Sequence, residues 1–186
     1  LSFVTMGLFT SNLSTSQRYP RYDLLRLGWA SNFVKNRFFI ESIKVLSVFV
    51  FGLVIATTFF GDENPIENFA PTFIWIIWWV GLGYLIAAFG NMWTLINPWK
   101  IIYEWLASTN ERETAIFRYP KRLSVWPALI LLLIFGWLEN VYSGAAQPFK
   151  MGILIVLYST ITWAGMISFG KHQWLRCGEC FSVLFD

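Results

Sequence analysis

Four long apolar stretches set the terms for this chain, because each has the length and composition of a helix that crosses a bilayer. A spanning helix needs roughly 20 mostly apolar residues to cover about 30 Å of hydrocarbon at a rise of about 1.5 Å per residue. The stretches lie at about 43–60, 71–96, 125–142 and 149–169. The first carries VLSVFVFGLVIATTFF from Val45 and the second runs PTFIWIIWWVGLGYLIAAFGNMWTLI from Pro71. The third opens VWPALILLLIFGWL at Val125, and the fourth has no charged residue after Lys150. Hydrophobic residues make up 56% of the chain and charged residues 13%, and the mean hydropathy is +0.52, beyond the range of ordinary soluble domains. The expected fold is all-α: an integral membrane bundle of about four transmembrane helices with interfacial helices beside them.

Loop charges orient this map, since Lys and Arg concentrate on the cytoplasmic side of bacterial inner membranes. Arg18, Arg21, Arg26, Lys35, Arg37 and Lys44 precede or open the first span, whereas the next loop, GDENPIEN, has only acidic charges, at Asp62, Glu63 and Glu67. Lys100, Arg112, Arg118, Lys121 and Arg122 follow the second span, Lys150 alone lies in the third loop, and Lys171 and Arg176 follow the fourth. Every basic residue except Lys150 thus falls on one side, which predicts a multi-pass protein of the bacterial inner membrane with its N-terminus in the cytoplasm. The net charge of +3 reports topology, and nucleic acid is not an expected partner. Three regions follow: a cytoplasmic N-terminal region over 1–42, the bundle over 43–170, and a cytoplasmic-side segment over 171–186 that starts a further helix. A start without Met and an apolar end from Phe181 to Phe185 are expected of a piece of a longer protein.

Two segments read as interfacial. Asp23 suits an N-cap for a helix that gathers Leu24, Leu27, Val34 and Phe38 on one face, with Arg26 and Arg37 opposite. Pro98 to Leu106 follows the second span, and Trp99, Tyr103 and Trp105 suit the headgroup zone. Asn97-Pro98 marks the expected stop of that span. A helix from Thr72 to Ile96 would run roughly 37 Å, so tilt or a break near Gly90-Asn91 is expected.

Within the second span, Trp75, Trp78 and Trp79 stand at i, i+3 and i+4 and share a face. An aromatic ligand such as a quinone or pigment would stack there, although an aromatic belt toward lipid or a neighbouring subunit accounts for the same pattern. Gly83 and Ala87, with Ala88 and Gly90 nearby, form a small-residue face suited to close helix packing. Asn91 would either hydrogen-bond between helices or line a substrate path. Glu139, at the end of the third span, is a candidate proton relay or cation ligand if buried, and a solvated carboxylate if not. Glu179 is a third candidate acid.

Cys177 and Cys180 form a C-x-x-C with His172 five residues before it. A redox pair or metal site is one reading. Structural zinc needs four ligands where these supply three, so no metal is expected and unpaired structural cysteines are the plainer account. No cofactor is predicted beyond bound lipid, quinone or pigment.

Arg21-Tyr22-Asp23-Leu24, the run from Ala70 through Trp78-Trp79-Val80-Gly81-Leu82 to Asn97-Pro98-Trp99, and Trp163-Ala164-Gly165-Met166 with Trp174-Leu175-Arg176, Gly178-Glu179 and Phe181-Ser182-Val183 together carry a family likeness. In these blocks, which span most of the chain from Arg21 onward, the sequence resembles polytopic bacterial membrane proteins of the fenitrothion hydrolase type, including its membrane component. The resemblance implies a longer membrane protein tied to hydrolysis of an organophosphate ester. The residues themselves carry no paired-metal set and no G-x-S-x-G elbow, and His172 is the chain's one histidine. An accessory or structural subunit of a larger membrane assembly is therefore the leading expectation, with membrane lipids and other membrane subunits as partners. A hydrolase component or transporter using Glu139, Asn91 and Glu179 is the alternative.

Overall fold

The computed structural model describes residues 36–107 and 115–186. The expected interfacial helix at Asp23 falls almost wholly outside them. The chain divides after Phe39 into two compact units, and of the first only residues 36–39 are described. There Asn36 Oδ1 accepts the N–H of Phe38 at 3.0 Å, and this cap starts helix α1, Arg37–Phe60, six residues before the apolar stretch expected from about residue 43. All that follows concerns the second unit, Ile40–Asp186.

The regular structure among the described residues is all helical, with no strand among them. Among the described residues four helices are long and apolar enough to cross a membrane, so this is a multi-pass membrane protein. After α1, the Gly61–Asn68 turn is held by the buried side chain of Asn68. Its Nδ2 donates to the carbonyls of Thr57 at 2.8 Å and Asp62 at 2.6 Å, while its Oδ1 accepts from Ala70 N at 2.9 Å and caps α2. A Cβ on Gly61 would stand 2.4 Å from the Thr57 carbonyl oxygen, which is why glycine occupies this close approach.

Helix α2, Phe69–Phe89, is wound as a π-helix over Phe73–Gly81. It stops at Gly90, whose φ of 87° lies in the left-handed region that glycine tolerates. The apolar stretch expected to run to residue 96 is therefore interrupted. A single turn, α3 (Trp93–Ile96), leads to Asn97, where the chain is extended. Asn97 Oδ1 then accepts Lys100 N at 3.1 Å and Pro98 takes the first turn of α4, Pro98–Leu106. The Asn-Pro pair is the stop that was expected, with Asn97 capping the end of α3, and the same pair starts a new helix.

After a 3₁₀ turn at Lys121–Leu123, α5 spans Trp126–Asn140 and α6 spans Pro148–Phe169. Gly170, at φ 84°, ends α6. The segment expected to begin a further helix forms two short ones, α7 (Lys171–Cys177) and α8 (Cys180–Phe185), and α7 doubles back along α6. Trp174 is the pivot. Ideal Cβ atoms at Gly165 and Gly178 would meet its indole at 2.2 Å and 2.4 Å, so two glycines admit the ring that no other residue would. Lys171 Nζ and Glu104 Oε1, 2.9 Å apart, tie α7 to α4. Burial holds nearby Lys100 below its ordinary pKa; Glu104 opposes this, and Lys171 and Lys44 add to it.

The main core is aromatic. Phe181 on α8 meets Trp78 at 4.7 Å and Phe135 at 5.2 Å between centroids, both edge-on, with Tyr158 and Trp93 close by. A smaller cluster joins Val54, Ala70 and Met151 on α1, α2 and α6. Ile130, Leu133, Ile153 and Val156 point outward, as expected where hydrocarbon is the solvent.

Candidate functional site

Halfway along α6, Tyr158 stands ten residues after Pro148 and eleven before Phe169, about 15 Å from either end of the rod. The fold-back of α7 and α8 delivers Glu179 to that level. Its carboxylate is fully buried and caps α8: Oε1 accepts from Phe181 N at 3.0 Å and Oε2 from Ser182 N at 2.7 Å. Tyr158 donates a short hydrogen bond to Oε1. On the other oxygen, Trp93 Nε1 donates at 3.3 Å and Asn97 Nδ2 at 3.5 Å, and Asn97 Nδ2 also reaches Ser182 Oγ at 3.4 Å. Each of these partners donates, which suits an acceptor-only carboxylate. No salt bridge to Glu179 occurs among the described residues.

The arrangement follows from interruptions in the helices. Gly90 and the extended Asn97 leave the N-terminus of α4 inside the bundle, and Gly178-Glu179 does the same for α8, so Asn97 and Glu179, each the N-cap of its helix, meet side by side. A buried carboxylate held by backbone and side-chain donors, with a tyrosine hydroxyl on it, can take up or pass a proton, or bind a cation, by rearranging these bonds.

The other expected residues fall elsewhere. Glu139 is exposed at the end of α5 and accepts from Trp79 Nε1 at 3.0 Å, because the helix ends within a residue and leaves the carboxylate outside the bundle. Asn91 bridges no helices: its Oδ1 accepts Thr94 N at 3.3 Å, a local bond made available by the break at Gly90. Trp75, Trp78 and Trp79 are half-buried against Phe135, and Trp78 and Trp79 also against Phe181, so they form an inward face and not a belt toward lipid. Trp99, expected among headgroups, is buried and donates to Ser159 Oγ at 2.7 Å. The small-residue face is exposed, and nothing lies within 4 Å of a Cβ built at Gly83.

The C-x-x-C does not converge. Cys180 is buried beside the Tyr158 hydroxyl at 3.3 Å, Cys177 is half-buried near Gln173 Nε2 at 3.4 Å, and His172 is exposed. The helix start at Cys180 turns the two thiols toward different neighbours, and no three His, Cys, Asp or Glu side chains among the described residues are placed to share a metal. Sequence reasoning named Glu179 but missed Tyr158, Trp93, Asn97 and Ser182. A hydroxyl in mid-span and an acid directly followed by Cys180-Phe181 were the available signals.

Searches against family models, curated proteins and solved structures give no match for this chain.

Proposed function

We infer that this chain is a transport component of a larger membrane assembly, in which Glu179 is the group that responds to a proton or cation. One observation carries the reading: a fully buried carboxylate, level with the middle of α6, sits where the N-termini of two interrupted helices meet. Burying a charge at membrane depth costs several kcal/mol, so such groups are retained mainly along ion and substrate paths. Interrupted helices around a mid-bilayer site are the construction by which many transporters bind and release their cargo. A change of charge on Glu179 alters its hold on Tyr158, Trp93 and Asn97 together, and so couples α8 to α4 and α6.

The loop charges support placement in a bacterial inner membrane with the N-terminus in the cytoplasm. Membrane lipids and other membrane subunits are the partners this reading calls for. The accessory-subunit reading draws on a different observation, the exposed face at Gly83 and Ala87, which fits a helix from another subunit.

The test is reconstitution of the intact assembly in vesicles under an imposed pH or ion gradient. Glu179→Gln is expected to cut flux at least about ten-fold while the assembly is recovered at its normal yield. Unchanged flux, or lost recovery as the sole effect, would favour an accessory subunit. Gradient-independent ester hydrolysis by the assembly would instead favour a hydrolase component.

A further inference from the structure

A half-open apolar cleft of about 440 Å³ lies between α1, α2, α5 and α6, and Trp93 and Tyr158, which both bond Glu179, are among the residues that line it. Its walls are built from Val54, Trp75, Trp78, Trp99, Tyr158 and Phe181 among others. The present volume sits within the range of about 300–1,000 Å³ typical of small-molecule sites.

The lining also says what chemistry fits. The indole N–H groups of Trp75, Trp93 and Trp99 are donated to Ala145 O at 3.4 Å, Glu179 Oε2 at 3.3 Å and Ser159 Oγ at 2.7 Å. Ser47 Oγ donates to Ile96 O, and Tyr158 donates to Glu179. These polar groups are spent inside the protein, and what they leave facing the cavity is aliphatic carbon and aromatic ring. Water and ions gain little there, whereas an uncharged aromatic body gains both burial and ring contacts.

We propose that this cavity is a binding site for an uncharged, aromatic hydrophobic small molecule, seated between Trp75, Trp78 and Trp99 and bounded by Tyr158 and Phe181. Four of the residues that line it, Trp93, Trp99, Tyr158 and Phe181, touch Glu179 or belong to the core around it, so occupancy and the state of the carboxylate act on the same side chains. That the bound molecule is the transported one rests on the transport reading above.

The full chain in lipid nanodiscs, titrated with 1-bromonaphthalene as a heavy-atom quencher of indole emission, tests the site. Quenching is expected to saturate short of completion, because only some of the 11 tryptophans line the cavity. Ala145→Phe fills the space from its wall and is expected to weaken the midpoint at least about ten-fold, the equivalent of 1.4 kcal/mol. Leu133→Phe, on the lipid-facing side of α5, is expected to leave it unchanged. Should Ala145→Phe fail to fold, Val50→Phe fills the same cavity from α1. Quenching that rises linearly with probe partitioned into lipid, and is the same in both filling variants, would overturn the proposal. So would equal quenching by phospholipid brominated on its acyl chain that 1-bromonaphthalene does not compete away, since the occupant would then be a lipid tail. Saturable binding in an assembly that shows no flux would retire the transport reading and leave the site standing.

Discussion

Two buried polar side chains, Asn68 and Glu179, do the same local job and differ in one respect. Each caps a helix while reaching back to an earlier part of the chain: Asn68 to Thr57 and Asp62, Glu179 to Trp93, Asn97 and Tyr158. Asn68 is neutral, and its amide both donates and accepts, so it closes the Gly61–Asn68 turn with no charge to desolvate. Glu179 brings a carboxylate into a region level with mid-helix, where both of its oxygens meet only donors. The difference teaches that Asn68 closes one local turn with no charge to desolvate, whereas Glu179 gathers donors from three other elements and its own helix around one buried carboxylate.

The comparison can be broken or sharpened by substitution. Glu179→Leu removes the shared acceptor of the Tyr158 hydroxyl, the Trp93 indole N–H and two backbone N–H groups, and is expected to cost about 3–5 kcal/mol, read as a fall in thermal unfolding temperature in lipid. Asn68→Ala removes one cap and two donated bonds near the end of the bundle, for an expected loss of about 1–2 kcal/mol in the same assay. A larger loss at Asn68 than at Glu179 would undo the contrast. Glu139→Gln, at an exposed site whose only described bond is to Trp79, is expected to shift stability by less than about 0.5 kcal/mol and to leave gradient-driven flux unchanged.

The four rods were legible because hydrocarbon demands a run of apolar residues whatever packs beside them, and the break near Gly90 because only so much helix fits across a bilayer. The direction in which the tryptophans face was not, since apolar residues on a membrane helix look alike toward lipid and toward protein. Trp99 shows the same difficulty: its neighbours Ser159 and Trp163 lie some 60 residues away, and no local pattern announces them. Asn97 was legible as a stop because Pro disfavours helix in the residue before it, and α3 does end there, while its second role as the N-cap of α4 was not. Glu179 was visible as an acid, but its burial depends on Trp174 lodging between Gly165 and Gly178, a fit written in shape and not in periodicity.

The wide winding of Phe73–Gly81 has a geometric corollary. A π-wound stretch turns each successive side chain through a smaller angle about the axis than an α-helix does, so the winding itself sets how Trp75 and Trp78 fan around α2 and which ring faces meet the cavity.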